Sequence, residues 1–375
     1  MSHIRTRTLS SGQKRYQAKL TDPSGREHVK TFSKLTDARM WLRDRESSML
    51  RADLYSSEPS QVGLTFQELA TAWQGTWHRI QPKTEQRYSE YLNLWLLPYF
   101  RDTPVALITH QRVQEFVDAM AAGQLRRLKV GLGTKTRPPA PSTVRGARAA
   151  LSAMLTEGVR VGALQANPTR HIRLPRAEKK QPVILTLDEL DHLASVFGPT
   201  DALAVRLTFS SGLRAGELWG LQVRDLRGNV LRVERAAKLI KGKLVLGPTK
   251  THATRDVTLP PAFAATLHAH ASRQSGPLSP LFVGPEGAPV RHNLWTSRVW
   301  RKGVRAAFPA PTYPATHRKL RFHDLRHTHA SLLLANGHPA TAVAKRLGHA
   351  SVTTTLSIYA HALPNSDAEL AAFFA

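Results

Sequence analysis

The chain has 375 residues, with 53 Lys and Arg against 27 Asp and Glu, a formal net charge of +26 and a pI near 11.1. An apolar share of 41% supports folded cores and excludes a disordered polycation, and the lack of cysteine excludes disulfides, thiol nucleophiles and cysteine zinc sites. The length suggests two or three domains, and the charge suggests a polyanionic partner, most commonly nucleic acid; the plainer alternative is a ribosomal-type or merely soluble basic protein.

The N-terminal stretch MSHIRTRTLSSGQKRYQ has charge but no apolar run after it, so it does not read as a secretory signal. No segment approaches the ~18 apolar residues of a membrane span, and a cytoplasmic protein is expected. Excess charge is spread along the chain. Met1 to Gly63 holds 12 basic and 7 acidic residues, Leu64 to Gln181 holds 18 and 8, and Pro182 to Ala375 holds 23 and 12. That division suits a clamp of modules that each meet DNA better than a single basic tail. Ser56 to Gly63 and Leu174 to Pro182 read as linkers, which sets expected domains at 1–58, 64–174 and 183–375.

In the first domain, Lys14 to Leu20 and Arg26 to Phe32 read as strands around the turn Asp22-Pro23-Ser24-Gly25, with Ile4 to Thr8 as a third. Thr36 is the expected cap of a helix to about Met49, with Ala38, Trp41 and Leu42 as its apolar stripe. A strand face of this kind fits a DNA groove; the alternative is a generic small α+β module. The second domain reads as helical. Phe66, Leu69, Ala70, Trp73 and Trp77 recur at helical spacing, as do Tyr88, Tyr91, Leu92, Trp95 and Leu96, then Val113, Phe116, Val117 and Met120, then Val144 to Glu157. These aromatic stripes predict core rather than base-stacking surfaces. Gly123 to Pro141 is a basic loop. The third domain opens on a helix capped by Thr186 with Glu189 three residues on. Val230 to Glu234, Leu244 to Leu246 and Val257 to Leu259 read as short strands, and the last third is helical. The expected fold class is mainly α with small β-sheets, in several domains.

Several chemistries are disfavoured by spacing. Gly131-Leu132-Gly133-Thr134-Lys135 lacks the GxxxxGK[ST] spacing of a nucleotide loop. His323 and His327 stand at i and i+4, as in HExxH zinc sites, but Asp324 replaces the Glu and no third ligand follows. Paired carboxylates for a metal nuclease are scarce. No cofactor or metal is therefore expected.

The informative residues lie in the third domain. Arg214 and Glu217 follow Ser210-Ser211-Gly212-Leu213 at i,i+3, ordinarily a solvated surface pair. Lys250 sits in the turn Gly247-Pro248-Thr249-Lys250-Thr251. His323 and Arg326 form HxxR on one helix face. Leu347-Gly348-His349 ends a helix. Tyr359 follows ten residues later, where Val352, Leu356 and Tyr359 also fit an i, i+4, i+7 core stripe.

Singly these residues are unremarkable, but their order Arg, Lys, HxxR, LGH, Tyr is specific. The text SSGLRAGEL, GPTKTHATRDVTLP, RFHDLRHTHASLLLANG and LGHASVTTTLSIYAH resembles the catalytic domain of the tyrosine recombinases, the phage integrase family. The preceding helical domain resembles the family's core-DNA-binding domain in position and pattern. The N-terminal unit resembles the three-stranded arm-binding domain of larger integrases.

The resemblance implies an α-rich DNA breaking-rejoining catalytic domain and a site of Arg214, Lys250, His323, Arg326, His349 and Tyr359. A DNA phosphodiester is anionic, and two forked guanidiniums, Arg214 and Arg326, would bind the oxygens that gain charge in the transition state. Tyr359 would be the nucleophile; a phenol ionises near pH ~10, so it needs help, and His323 would accept or relay its proton. Lys250 matches the family's general acid for the leaving 5′-oxygen. His349 would hydrogen-bond the phosphate, and Glu217 would orient Arg214 or His323. The product is a 3′-phosphotyrosyl link that keeps the diester's energy, so rejoining needs neither ATP nor metal. The implied function is site-specific integration and excision of a phage or mobile element in a bacterial host cytoplasm, at the nucleoid.

The implied partners are double-stranded DNA at core and arm sites, copies of the same chain in a tetramer on that DNA, a host DNA-bending protein and an excision factor. The tail Ala360 to Ala375 carries DAELAAFF, a short apolar-faced helix that either docks on a neighbouring protomer or packs on its own domain. Two other readings are weighed: a catalytically inactive DNA-binding accessory protein, which the intact residue set argues against, and a type IB topoisomerase-like enzyme sharing the chemistry.

Overall fold

The computed structural model describes residues 2–8, 14–21, 27–43, 45, 63–125, 138–177, 181–249, 253–284 and 287–359. They divide into two compact units, 1–177 and 178–375. The expected turn at Asp22 to Gly25, most of the Ser56 to Gly63 linker, the centre of the basic loop with Gly131 to Lys135, Lys250, and the tail from Ala360 lie outside the described residues.

In the first unit, β1 (Ser2–Thr8), β2 (Lys14–Thr21) and β3 (Glu27–Phe32) form an antiparallel sheet in chain order, with Ile4 opposite Ala18 and Tyr16 opposite Phe32. One sheet face and helix α1 (35–43) bury Ala18, Leu20, Ala38 and Leu42, with Ile4, Tyr16, Phe32 and Trp41 against them. The helix begins before Thr36, so Thr36 is not its cap; its hydroxyl instead faces Asp37 at 3.4 Å.

The helical part of this unit contains α2 (Phe66–Gly75), α3 (Pro82–Tyr91), a wide turn over Leu92–Leu96, α4 (Leu97–Phe100), α5 (His110–Ala121) and α6 (Pro141–Arg160). Thr65 and Glu68 cap α2 reciprocally and satisfy amides that the helix leaves unpaired. The aromatic stripes meet in one core. Trp73 packs edge-on against Trp77 at 4.9 Å, and Phe66, Phe100 and Phe116 form a second group of rings. Those rings are buried as the helical spacing predicts.

The second unit starts with α7 (Leu187–Ser195), capped by Thr186 and Glu189 as expected, and α8 (Pro199–Ser211). A short α9 (Ala215–Leu218) follows. Strands β4 (Leu226–Arg227), β5 (Val230–Val233) and β8 (Arg255–Thr258) form one antiparallel sheet, while β6 (Arg235–Ile240) and β7 (Lys243–Pro248) form a separate hairpin. The sequence reading finds three strands here and misses β6 and β4. The hairpin turns on Lys241 and Gly242, both with positive φ, a tight connection whose Lys-Gly sequence is a weak signal. Then come α10 (Pro261–Ala271), α11 (His292–Trp295), α12 (Arg301–Ala307), α13 (Asp324–Ala335), α14 (Ala340–Leu347) and α15 (Val352–Tyr359). No helix among the described residues is long and apolar enough to cross a membrane.

The main core of this unit gathers Leu190, Val205, Trp219, Leu231, Trp295, Trp300 and Phe322, and a smaller cluster joins Ala330, Leu334, Val343, Leu347 and Tyr359. The core stripe suggested for α15 does not hold. Thr355 and Tyr359 are its buried residues, and Leu356 is exposed.

Gly303 on α12 shows how tight the main core is. A Cβ there would stand 2.2 Å from the Phe197 ring, which stacks on Trp300. Gly303→Ala gains up to ~1 kcal/mol of helix propensity but overpacks the core by about 1–3 kcal/mol. Urea unfolding is expected to show net loss of stability, largely relieved when Phe197→Leu is added; equal or higher stability of the single variant would refute that packing.

Candidate active site

The site grows from a turn. Helix α8 ends at Gly212, whose φ of 69° is left-handed, and a Cβ there would meet Leu347 at 2.7 Å and His329 at 2.8 Å. Glycine thus serves both the turn and the close approach. The chain then presents Arg214 as the residue before α9. Glu217 accepts the Arg214 amide at 2.9 Å and the Arg214 guanidinium at 2.8 Å. Glu217 is 1% exposed, and a second guanidinium, Arg255 on β8, grips it at 2.7 and 3.2 Å.

Arg326 on α13 is buried and donates to the carbonyls of Gly212 (2.6 Å) and Leu347 (2.8 Å). Arg214 reaches the Gly348 carbonyl at 3.2 Å, and Arg255 reaches that of Arg346 at 2.8 Å. Three guanidiniums therefore bind the ends of α8 and α14 into one wall. Helix α14 stops at Gly348, also left-handed with φ 67°, and His349 follows with its Nδ1 2.8 Å from the Thr355 hydroxyl. Tyr359 is buried at the end of α15, its hydroxyl 2.8 Å from Nδ1 of His327. His323 stands immediately before α13 at the exposed rim, its ring edge-on to His327 at 4.9 Å.

Arg214, Glu217, His323, Arg326, His349 and Tyr359 are thus brought together by the fold. Lys250 lies outside the described residues; on either side of that segment, the Thr249 hydroxyl donates to the Ala253 carbonyl at 3.0 Å. Glu217 engages Arg214, one of its two expected partners, and Arg255 in addition. Arg255 and His327 are the residues that sequence reasoning missed in the site. His327 was visible only as the i+4 mate of His323, and Arg255 was one more basic residue at a strand start.

Residues 184–366 match the Phage integrase family, and residues 65–121 match the Phage integrase, N-terminal SAM-like domain. The chain is 30% identical to the tyrosine recombinase XerC of Pelobacter propionicus over 240 residues, 62% of this chain and 72% of that one. The chain belongs to the phage integrase family. It is also 28% identical, over 98% of its length and 94% of the other's, to a putative prophage phiRv2 integrase of Mycobacterium tuberculosis. Its fold is similar to that of a lambda integrase tetramer bound to a Holliday junction, with a TM-score of 0.56, 18% identity, and coverage of 98% of this chain and 96% of that chain.

The electrostatics of this integrase site are those of a pocket short of negative charge. Burial alone would raise the Glu217 carboxyl, but the hydrogen bonds and charge of Arg255, with the amide and charge of Arg214, bring it down to about 2. Burial and then the neighbouring Arg214 push Arg326 down to about 9, so it remains a cation at neutral pH. Burial and then Arg326 and Arg214 push His349 down to about 4, which leaves a neutral ring. His323 is lowered in the same direction by its crowded surroundings and then by His327 and Arg326. Burial raises the Tyr359 phenol to about 12, although Arg326 and Arg214 pull the other way.

A second layer fixes the wall. His329 Nε2 accepts from Arg346 at 3.1 Å, so its Nδ1 carries the proton and donates to the Phe209 carbonyl at 2.6 Å. Arg346 also donates to the carbonyls of Ser210 and Thr258.

A buried carboxylate held low contributes stability above its ordinary pKa of 4.5 and loses it as pH falls through about 2. Glu217→Gln leaves two guanidiniums without their counter-charge, so about 3–5 kcal/mol of stability is expected to disappear near neutral pH. Urea unfolding should show the gap to wild type narrowing as pH drops from about 4.5 towards 2. A neutral variant as stable as wild type at pH near 7, or a gap independent of pH, would contradict this.

Proposed function

We propose that this integrase cuts and rejoins double-stranded DNA at specific sites through a 3′-phosphotyrosyl link to Tyr359, and so integrates and excises a mobile element. The observation that carries the reading is the pocket in which Arg214 and Arg326, anchored to Glu217 and to backbone carbonyls, meet the buried Tyr359 hydroxyl.

Arg214 and Arg326 hold the non-bridging oxygens of the scissile phosphate. Donors fixed in advance at such a site typically contribute about 3 kcal/mol each to lowering the barrier. Their positive field also stabilises the phenolate that a buried tyrosine would otherwise resist forming. His349 and His323, neutral at pH 7, hydrogen-bond the phosphate. Lys250 protonates the departing 5′-oxygen. One diester is exchanged for another of similar energy, and the direction of recombination comes from assembly on DNA.

A further surface fits DNA. On the sheet face away from its small core, Arg5, Arg7, Arg15, Gln17 and Thr31 align through the strand register. That face suits a groove at a second, arm-type site, which makes 1–58 a separate DNA-binding module beside 64–174 and 183–375. Assembly follows the lambda integrase neighbour, which is a tetramer on a Holliday junction. A host DNA-bending protein and an excision factor complete the proposed partners, in a bacterial cytoplasm.

A nicked suicide duplex should trap the wild-type chain covalently and leave Tyr359→Phe unlinked on a denaturing gel; a covalent band from the Phe variant would remove Tyr359 from the role. Changing Arg5, Arg7 and Arg15 together to Ala should spare core-site cleavage. It should flatten the salt dependence of arm-site binding by about 0.9 log units of slope per lost phosphate contact. An unchanged slope would refute the sheet face as the arm reader.

A further inference from the structure

We propose that His327, not His323, takes the phenolic proton of Tyr359 as the tyrosine attacks and returns it on religation; this rests on the recombinase reading above. The Tyr359 hydroxyl and His327 Nδ1 are 2.8 Å apart, within direct transfer distance, and the two rings lie 5.5 Å apart. His327 follows Arg326 directly on α13, so one turn of helix fixes both the guanidinium that binds phosphate and the base that frees the nucleophile. His323 lies one turn earlier at the exposed rim, its ring edge-on to that of His327 at 4.9 Å.

The proton balance is complete. The proposed step starts from a neutral His327 ring with its hydrogen on Nε2 and Nδ1 accepting from the Tyr359 hydroxyl. The Tyr359 oxygen bonds to phosphorus as its proton moves to Nδ1. The bond from phosphorus to the 5′-oxygen breaks, and that oxygen takes a proton from Lys250. Religation runs the same steps backwards, with His327 protonating the departing phenolate oxygen. A buried phenol pushed to about 12 supplies almost no phenolate at neutral pH, so a base in contact matters more here than in water. Among the described residues, the groups that face this pair include Asp324, Arg326 and His323 around the start of α13, Arg214 before α9, and His349 between α14 and α15. The cations Arg326 and Arg214 among them oppose a further positive charge on His327, and the entering phosphate offsets that opposition.

The test uses the full chain and a suicide duplex whose core sequence is selected from a randomised pool by binding to Tyr359→Phe. The scissile link carries either the ordinary 5′-oxygen or a 5′-sulfur, which leaves without a proton donor. His327→Asn keeps a hydrogen-bond acceptor but has no useful affinity for a proton. Its single-turnover cleavage is expected to fall by about 100-fold or more, with DNA affinity within about twofold of wild type. Sulfur substitution should rescue Lys250→Ala but not His327→Asn. The rate of His327→Asn should climb with pH between about 7 and 10, where wild type levels off. His327→Gln should repeat the result and guards against a folding defect in one variant. Cleavage by both variants within about threefold of wild type, or their rescue by sulfur, would overturn His327 as the base. Failure of the wild type itself to form a covalent complex would instead overturn the recombinase reading.

Discussion

Everything in the catalytic unit leans on one buried carboxylate, Glu217, gripped by Arg214 and Arg255. An Arg–Glu pair at i,i+3 on a surface is worth little, because water screens it and two flexible side chains must be ordered. Here the carboxylate is out of water, and a second guanidinium from a distant strand shares it. Removing the acid would strand two cations, so this contact is costly to break even though it is not a large net source of stability. Its main effect is orientation. It fixes Arg214 at the start of α9 and ties β8 to the site.

The second constraint is the pair of left-handed glycines, Gly212 and Gly348, that end α8 and α14. Each leaves helix-end carbonyls without partners inside the helix. Arg326, Arg214 and Arg255 satisfy the carbonyls of Gly212, Leu347, Gly348 and Arg346. Side chains proposed to hold phosphate thus also serve as caps. One acid against three guanidiniums leaves the pocket positive, and an anion that enters relieves the repulsion by Arg214 that, after burial, lowers Arg326. Burial first, and then the same field, keeps His349 and His323 neutral at pH 7.

Local patterns were well written in the sequence. The reciprocal caps at Thr186 and Glu189, the aromatic stripes of the helical part, and the strands of the N-terminal sheet follow from spacing and turn chemistry that act over a few residues. The ordered residues Arg214, HxxR, His349 and Tyr359 were legible because their succession is distinctive. Long-range pairings were not. Arg255 meets Glu217 from 38 positions away, and His327 meets Tyr359 from 32 away, so neither leaves a periodic trace. Strand β6, and with it the pairing to the expected strand at Leu244 to Leu246, was missed because RAAKLI carries Ala and Lys and few strand formers. The apolar stripe proposed for α15 failed because Thr355, bonded to His349, occupies the buried face while Leu356 points outwards.

The central claim is that the guanidinium wall works by neutralising the scissile phosphate. The most direct test replaces one charged non-bridging oxygen of that phosphate with a methyl group and measures single-turnover cleavage by wild type and by Arg326→Ala. On the ordinary diester the variant is expected to be slower by about 100- to 1,000-fold, the loss typical of one preorganised donor. On the uncharged methylphosphonate that ratio should shrink by at least about tenfold, because less negative charge remains to be held. An equal ratio on the two substrates would contradict the account.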